Sequence, residues 1–139
     1  MINSFKNDMN NEEKLIYLET LLYTLEKESD LREEYIPKLA KELGVTAKDL
    51  RKLGKICRPE TISNELLKVK DVRLRRYFVR EMIMLAISDH ELSDEEMCVI
   101  YKIGTAIGIK EDKINDFFLW AAQGIEWQME GKRMVEDDL

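Results

Sequence analysis

The chain has 139 residues, of which 45% are hydrophobic and 36% charged, and its formal net charge is −6. This balance suits one folded domain over residues 1–139 and excludes a disordered or fibrous chain. No apolar run approaches the roughly 20 residues of a membrane span, and residues 1–8 do not resemble a signal peptide. Two cysteines, Cys57 and Cys98, lie outside any CxxC pattern. We therefore expect a cytoplasmic protein that does not insert into membranes.

Charge is distributed unevenly along the chain. Residues 48–80 contain 11 Lys or Arg against 4 Asp or Glu, and the remainder is acidic. Such asymmetry is typical of surfaces that bind partners of opposite sign. Mutual neutralisation of the two regions in the folded domain would explain it equally well.

The first half of the chain shows helical periodicity. Apolar residues recur at i, i+3, i+4 and i+7, which predicts amphipathic helices. Asp30 is positioned to cap the second helix, which Gly44 ends. Pro37 predicts either a kink in that helix or a helix that starts at the proline. Thr46 caps the next, short helix. The predicted helices of this half cover residues 12–28, about 30–44, 47–53 and 59–67.

The second half begins with what we predict to be the longest helix, Val72–Ile87. It is apolar on every side in its second half, as expected for a helix in the middle of a bundle. A capping box at residues 93–96 starts the next helix, which ends at Gly108. A final pair of helices comes last, separated at Gly124, and Trp127 is predicted to dock beyond that break.

The two halves resemble each other in layout. Two pairs of segments recur at nearly constant spacing: residues 30–33 with 93–96, and residues 43–45 with 107–109. We therefore expect an all-α fold, a compact bundle of about seven helices in two pseudo-symmetric halves. Residues 1–10 and 133–139 are expected to fray.

The densest acidic feature is residues 89–96, between two predicted helices. Asp89, Glu91 and Glu95 offer carboxylate oxygens of the kind that Ca²⁺ or Mg²⁺ binds, so they are the candidate metal ligands. The segment is not an EF-hand loop, because Asp94 stands at the sixth position instead of glycine. Helix capping and favourable charge at a helix start are the alternative explanation of this segment.

The candidate partner-binding residues are Arg73, Arg76 and Arg80, which share one helix face at i, i+3 and i+7. Tyr77 and Phe78 lie on the apolar stripe of the same helix, which predicts a structural role for them. The sequence pI near 5.0 argues against nucleic acid. An acidic protein is the expected partner of the basic face.

Enzyme motifs are missing from the sequence. His90 is the single histidine, and no serine, cysteine or acid lies at catalytic spacing from it. Gly-rich phosphate loops, GxSxG and HExxH are also absent. We therefore expect a non-enzymatic protein.

Residues 84–96, Met-Leu-Ala-Ile-Ser-Asp-His-Glu-Leu-Ser-Asp-Glu-Glu, with Ile-Gly-Ile at 107–109, resemble the TerB-like family. That family includes tellurite-resistance proteins and the N-terminal region of a co-chaperone. Its pattern is an apolar helix ending Ala-x-Ala-Asp-Gly-x-Ile-Ser-x-x-Glu-Glu, an amphipathic helix and a Leu-Gly-Leu stop. Ser88 and His90 stand where the family usually has Ala and Gly.

The resemblance implies an all-α domain of two pseudo-symmetric halves in a cytoplasmic, non-enzymatic protein. It also implies a link to stress or tellurite resistance and a divalent cation on the acidic turn. The alternative is a protein–protein interaction adaptor with no metal role. Such an adaptor would act as a homodimer or through an acidic partner on the basic face of residues 48–80.

Overall fold

The computed structural model describes residues 8–25, 29–53, 58–89 and 92–136, and every regular element wholly within them is an α-helix. The all-α prediction is confirmed for this part of the chain. The seven helices are α1 (Asn11–Thr24), α2 (Ser29–Leu43), α3 (Ala47–Arg51), α4 (Pro59–Leu66), α5 (Val72–Asp89), α6 (Asp94–Ala106) and α7 (Glu111–Glu136).

Helix α1 starts with a capping box that was not predicted from the sequence. Asn10 Oδ1 accepts a hydrogen bond from the Glu13 amide at 2.8 Å, and Glu13 Oε1 accepts one from the Asn10 amide at 2.9 Å. These two bonds satisfy amides that the first helical turn leaves without partners. The helix ends at Thr24, earlier than predicted, and residues 26–28 lie outside the described part of the chain.

Helix α2 overturns the predicted cap at Asp30 and one of the two alternatives predicted for Pro37. Asp30 is its second residue and not its N-cap, and the helix passes through Pro37 instead of starting there. Thr46 does cap α3, since its Oγ1 accepts from the Asp49 amide at 3.1 Å. Helix α4 begins at Pro59, where a proline fits because the first helical amide needs no partner.

Helix α5 lies at the centre of the bundle, as predicted. It packs against α1, α6 and α7. Its side chains Phe78, Val79 and Ile83 are fully buried, and Tyr17 of α1 is buried against Phe78 with ring centroids 5.0 Å apart. None of the described helices is both long and apolar enough to cross a membrane.

The prediction that α5 is the longest helix is wrong. Helix α7 has 26 residues against 18 in α5, because it continues through Gly124 where a break was predicted. A single interior glycine destabilises a helix by only about 1 kcal/mol relative to alanine. The backbone hydrogen bonds of the helix on both sides of Gly124 outweigh this cost. Trp127 is 77% exposed and not docked. The residues expected to fray include Met9, which is buried, and the end of α7 up to Glu136.

The predicted stops at Gly44 and Gly108 are confirmed, and they have the same geometry. Both glycines have positive φ, 76° and 89°. The Val45 amide bonds the Ala40 carbonyl at 2.8 Å, and the Ile109 amide bonds the Gly104 carbonyl at 3.0 Å. This is the Schellman arrangement, in which a left-handed residue lets the chain fold back onto the last helical carbonyls.

Candidate functional site

The acidic turn contains the predicted capping box. Ser93 Oγ accepts from the Glu96 amide at 3.1 Å, and Glu96 Oε1 accepts from the Ser93 amide at 3.3 Å. Glu95 lies in the first turn of α6 and is exposed. Asp89 is the last residue of α5, but its side chain, like the whole of Glu91, lies outside the described part of the structure.

Metal-ligand chemistry elsewhere is sparse in the described ranges. Within them, no three His, Cys, Asp or Glu side chains form a group that could hold a metal ion. Cys98 is an exposed free cysteine on α6. Cys57 and His90 lie outside the described residues.

The predicted basic face divides into two kinds of residue. The side chain of Arg73 is 78% exposed and Arg76 is also exposed, so both present charge to solvent. Arg75, their neighbour, turns inward instead. Its Nε donates to the Val69 carbonyl at 2.6 Å and its Nη2 to the Leu67 carbonyl at 3.2 Å. Arg75 therefore satisfies carbonyls at and beyond the end of α4 and has a structural role.

Arg80 connects the basic face to α7. Its guanidinium carbon lies 5.2 Å from the centre of the Tyr77 ring and 4.9 Å from the centre of the Trp120 ring. Contacts of this kind attract a cation to the face of an aromatic ring. Its Nη2 is 3.9 Å from Glu81 Oε2, and its buried Nε has no hydrogen-bond partner among the described residues. The sequence predicted that Arg80 binds a partner but not that it contacts a tryptophan.

Two tyrosines share one carboxylate beneath this face. The hydroxyls of Tyr17 and Tyr77 each donate to Glu81 Oε1, at 3.3 and 3.2 Å. Burial, and secondly the negative charge of Glu81, raise the pKa of Tyr77 to about 12. The same causes raise the pKa of Tyr17. Both hydroxyls are therefore protonated at neutral pH, and the cluster joins α1 to α5 as a structural element.

Helix α7 carries an exposed apolar stripe that was not predicted from the sequence. Trp120, Trp127 and Met134 recur every seven residues on one face, and we call these three residues the tryptophan stripe. All three are exposed, Trp120 by 46%. Every residue from 126 to 136 is exposed. The seven-residue spacing was visible in the sequence, but the predicted break at Gly124 concealed it.

The tryptophan stripe meets the basic residues of α5 at one end, where Arg80 contacts Trp120. One turn further along both helices, Met84 Cε lies 3.9 Å from where a β-carbon on Gly124 would be. Helices α5 and α7 therefore run side by side in the same direction here. We call Arg73, Arg76 and Arg80 the basic stripe, and the two stripes together the α5/α7 surface.

Comparison with known proteins yields no relative for this chain. Family models, curated protein sequences and solved structures were all searched, and none matches.

Proposed function

We propose that this chain is a non-enzymatic interaction module that binds a protein partner on the α5/α7 surface. The observation that best supports this proposal is the exposure of residues 126–136, three helical turns that bear Trp127 and Met134. Soluble monomers rarely expose large apolar residues on one contiguous face, so such a face marks an interaction site.

A bound partner would also supply the side-chain packing that residues 126–136 lack. Residues 126–136 extend a packed helix but receive almost no packing from the rest of the domain, and most helical stability in proteins comes from such packing. Tryptophan and arginine are the residues most enriched at the energetic centres of interfaces. Here Trp120 and Arg80 are already in contact and held in place by the fold.

The chemistry of the surface indicates the kind of partner. The tryptophan stripe suits the apolar face of an amphipathic helix, which packs along a groove or a second helix. The exposed guanidinium groups of Arg73 and Arg76 suit carboxylates on that helix. The proposed partner segment is therefore helical, apolar on one side and acidic at its edge.

We further propose that the module is of the TerB-like kind, with two pseudo-symmetric halves and a role in stress or tellurite response. The support is local. The segment that resembles the family forms a capping box at Ser93 and Glu96, and Gly108 ends the helix that this box starts. The helix ends at Gly44 and Gly108 share one geometry at a spacing of 64 residues.

A divalent cation on the acidic turn is the second candidate function. It is favoured by Glu95, whose carboxylate is exposed and takes no part in the capping bonds of Ser93 and Glu96. Thermal unfolding of metal-stripped protein with Ca²⁺ or Mg²⁺ tests it. A ligand at about 100 times its Kd stabilises a protein by roughly 2.7 kcal/mol. A rise in Tm lost in Asp89→Ala/Glu95→Ala would support the site, and equal Tm values with and without metal would contradict it.

Photo-crosslinking in cells tests the proposed binding surface. A benzophenone amino acid replaces Trp127 in one variant and Thr61, an exposed residue of α4, in the control. We expect a protein adduct from position 127 that weakens when Arg73 and Arg76 are both changed to Glu, and none from position 61. No adduct from either position, or the same adducts from both, would contradict the proposal.

A further inference from the structure

We propose that the occupant of the α5/α7 surface is a second copy of this chain, with the two α7 helices packed antiparallel along their tryptophan stripes. This inference rests on the proposed function and names the partner. Three observations carry it: the size pattern along α7, the empty space around Gly131 and the exposed apolar area of the tryptophan stripe.

Large side chains and glycines alternate along one face of α7, and this pattern is complementary to that of a second, antiparallel α7. Along the stripe, Gly124 and Gly131 stand between the large residues, at the alternating spacing of three and four that two packed helices use. In an antiparallel pair, the register that places Trp127 opposite Gly124 of the second copy also places Trp120 opposite Gly131. Each tryptophan then meets a position without a side chain.

The same register continues at both ends of the stripe. It places Phe117, half-buried in the described fold, opposite Met134 of the second copy. Antiparallel pairing with twofold symmetry presents the same patch from both copies, as in most protein dimers. A parallel pair would instead bring tryptophan against tryptophan and glycine against glycine along the whole stripe.

Gly131 supports the pairing because the single chain gives no reason for it. A β-carbon at this position would meet no atom within 4 Å. Glycine inside a helix is less stable than alanine by about 0.5–1 kcal/mol, yet no packing within the described chain requires the missing side chain. Close approach of Trp120 from a second copy would require it.

The exposed area of the stripe approaches what a specific dimer buries. Four tryptophans would enter the interface, each burying roughly 150–250 Å² when fully covered. Their exposed fractions, with Met134 and the arginine stems, supply a large part of the roughly 1,000 Å² that a specific interface needs.

Sedimentation velocity of the full chain across micromolar concentrations tests the pairing. We expect a concentration-dependent species of twice the 16.4 kDa chain mass. Trp127→Ala should raise the dimer Kd about tenfold or more, as for a residue at the centre of an interface. Met129→Ala is the matched control, because Met129 is an exposed apolar residue on the opposite face of α7. A monomer at every concentration would overturn the inference.

A larger side chain at Gly131 tests the antiparallel register. Gly131→Leu should weaken self-association, because it fills the position that Trp120 of the second copy approaches. Arg133→Leu is the matched control, because Arg133 is exposed on the opposite face of α7. Self-association of Gly131→Leu equal to that of the wild type, with an unchanged Tm, would overturn the register.

The identity of the photo-adduct separates this inference from the proposed function. An adduct of position 127 with a second copy supports both. An adduct with a different protein, from a chain that sediments as a monomer, would overturn self-pairing while leaving the binding surface in place. The lack of any adduct would contradict both.

Discussion

The two helix ends at Gly44 and Gly108 are alike, but the helices that come after them differ. Each end has a left-handed glycine and the same pair of backward hydrogen bonds. After Gly44 comes α3, with five residues and none of them buried. After Gly108 comes α7, with 26 residues, whose first part enters the core and whose second part leaves it.

The difference arises from the space available beside the preceding helix. A β-carbon on Gly104 would lie only 2.5 Å from Cδ1 of Ile114, which is fully buried. The equivalent position on α2 is Ala40, and the residue equivalent to Ile114 is Leu50, which is only half-buried. Local signals thus decide where a helix stops, while side-chain packing decides how firmly the next helix is held.

The largest expected effect is a difference between α7 and α3 in how much a core side chain of each contributes to the free energy of unfolding. Ile114→Ala should reduce the free energy of unfolding by about 2–5 kcal/mol, because it removes a fully buried side chain and leaves a cavity. Leu50→Ala, the matched control, should cost about half as much or less, since its side chain is partly solvated. Urea denaturation of both variants measures the difference, and equal losses would show that α3 and α7 are held alike.

The positive-φ glycine that both helix ends share predicts a smaller loss of stability, equal at the two sites. Gly44→Ala and Gly108→Ala should each cost roughly 1–2 kcal/mol, because alanine is strained at positive φ. The space around both residues is open, so no clash adds to either value. Differential scanning calorimetry should find similar decreases in Tm. A loss at one site only would mean that the two ends are not equivalent.

Stability at alkaline pH probes the contact between α1 and α5, the helices that begin the first and second halves of the chain. The pKa of Tyr77 is about 12 in the folded protein against 10.0 for an ordinary tyrosine. Above pH 10 the unfolded chain therefore loses this proton first, and stability should fall as pH rises towards 12. Tm measured from pH 8 upwards should decline less steeply in Tyr77→Phe. An unchanged slope in that variant would contradict the role of this hydroxyl.

The smallest expected effect concerns the outer part of α7. Removing residues 126–139 should change the unfolding free energy of the monomer by no more than about 0.5 kcal/mol, as for surface changes that touch no core contact. Chemical denaturation at low protein concentration measures it. A loss comparable to that of Ile114→Ala would mean that this segment stabilises the domain by itself.

Much of the fold could be predicted from the sequence because its signals are local. Thr46, Ser93, Gly44 and Gly108 act through bonds to residues within five positions, so spacing alone indicates them. The continuation of α7 through Gly124 could not be predicted in this way. It depends on a balance between one weak residue and packing contributed by other helices.

The candidate site was predictable only in part, for the same reason. Periodicity placed Arg73, Arg76 and Arg80 on one face. It could not show that Arg75 turns inward, because its acceptors are carbonyls whose position depends on where α4 ends. Nor could it show that Arg80 meets Trp120, since that contact depends on how α5 packs against α7.

The central claim is that residues 126–136 of α7 serve binding and not the stability of the monomer. Hydrogen exchange measured by mass spectrometry at low and high protein concentration tests it. The amides of residues 126–136 should exchange rapidly in dilute protein, because the unpacked end of a helix frays readily. At high concentration we predict protection of these residues and of residues 117–125, with α3 unchanged. Equal exchange of residues 126–136 at both concentrations would contradict the account.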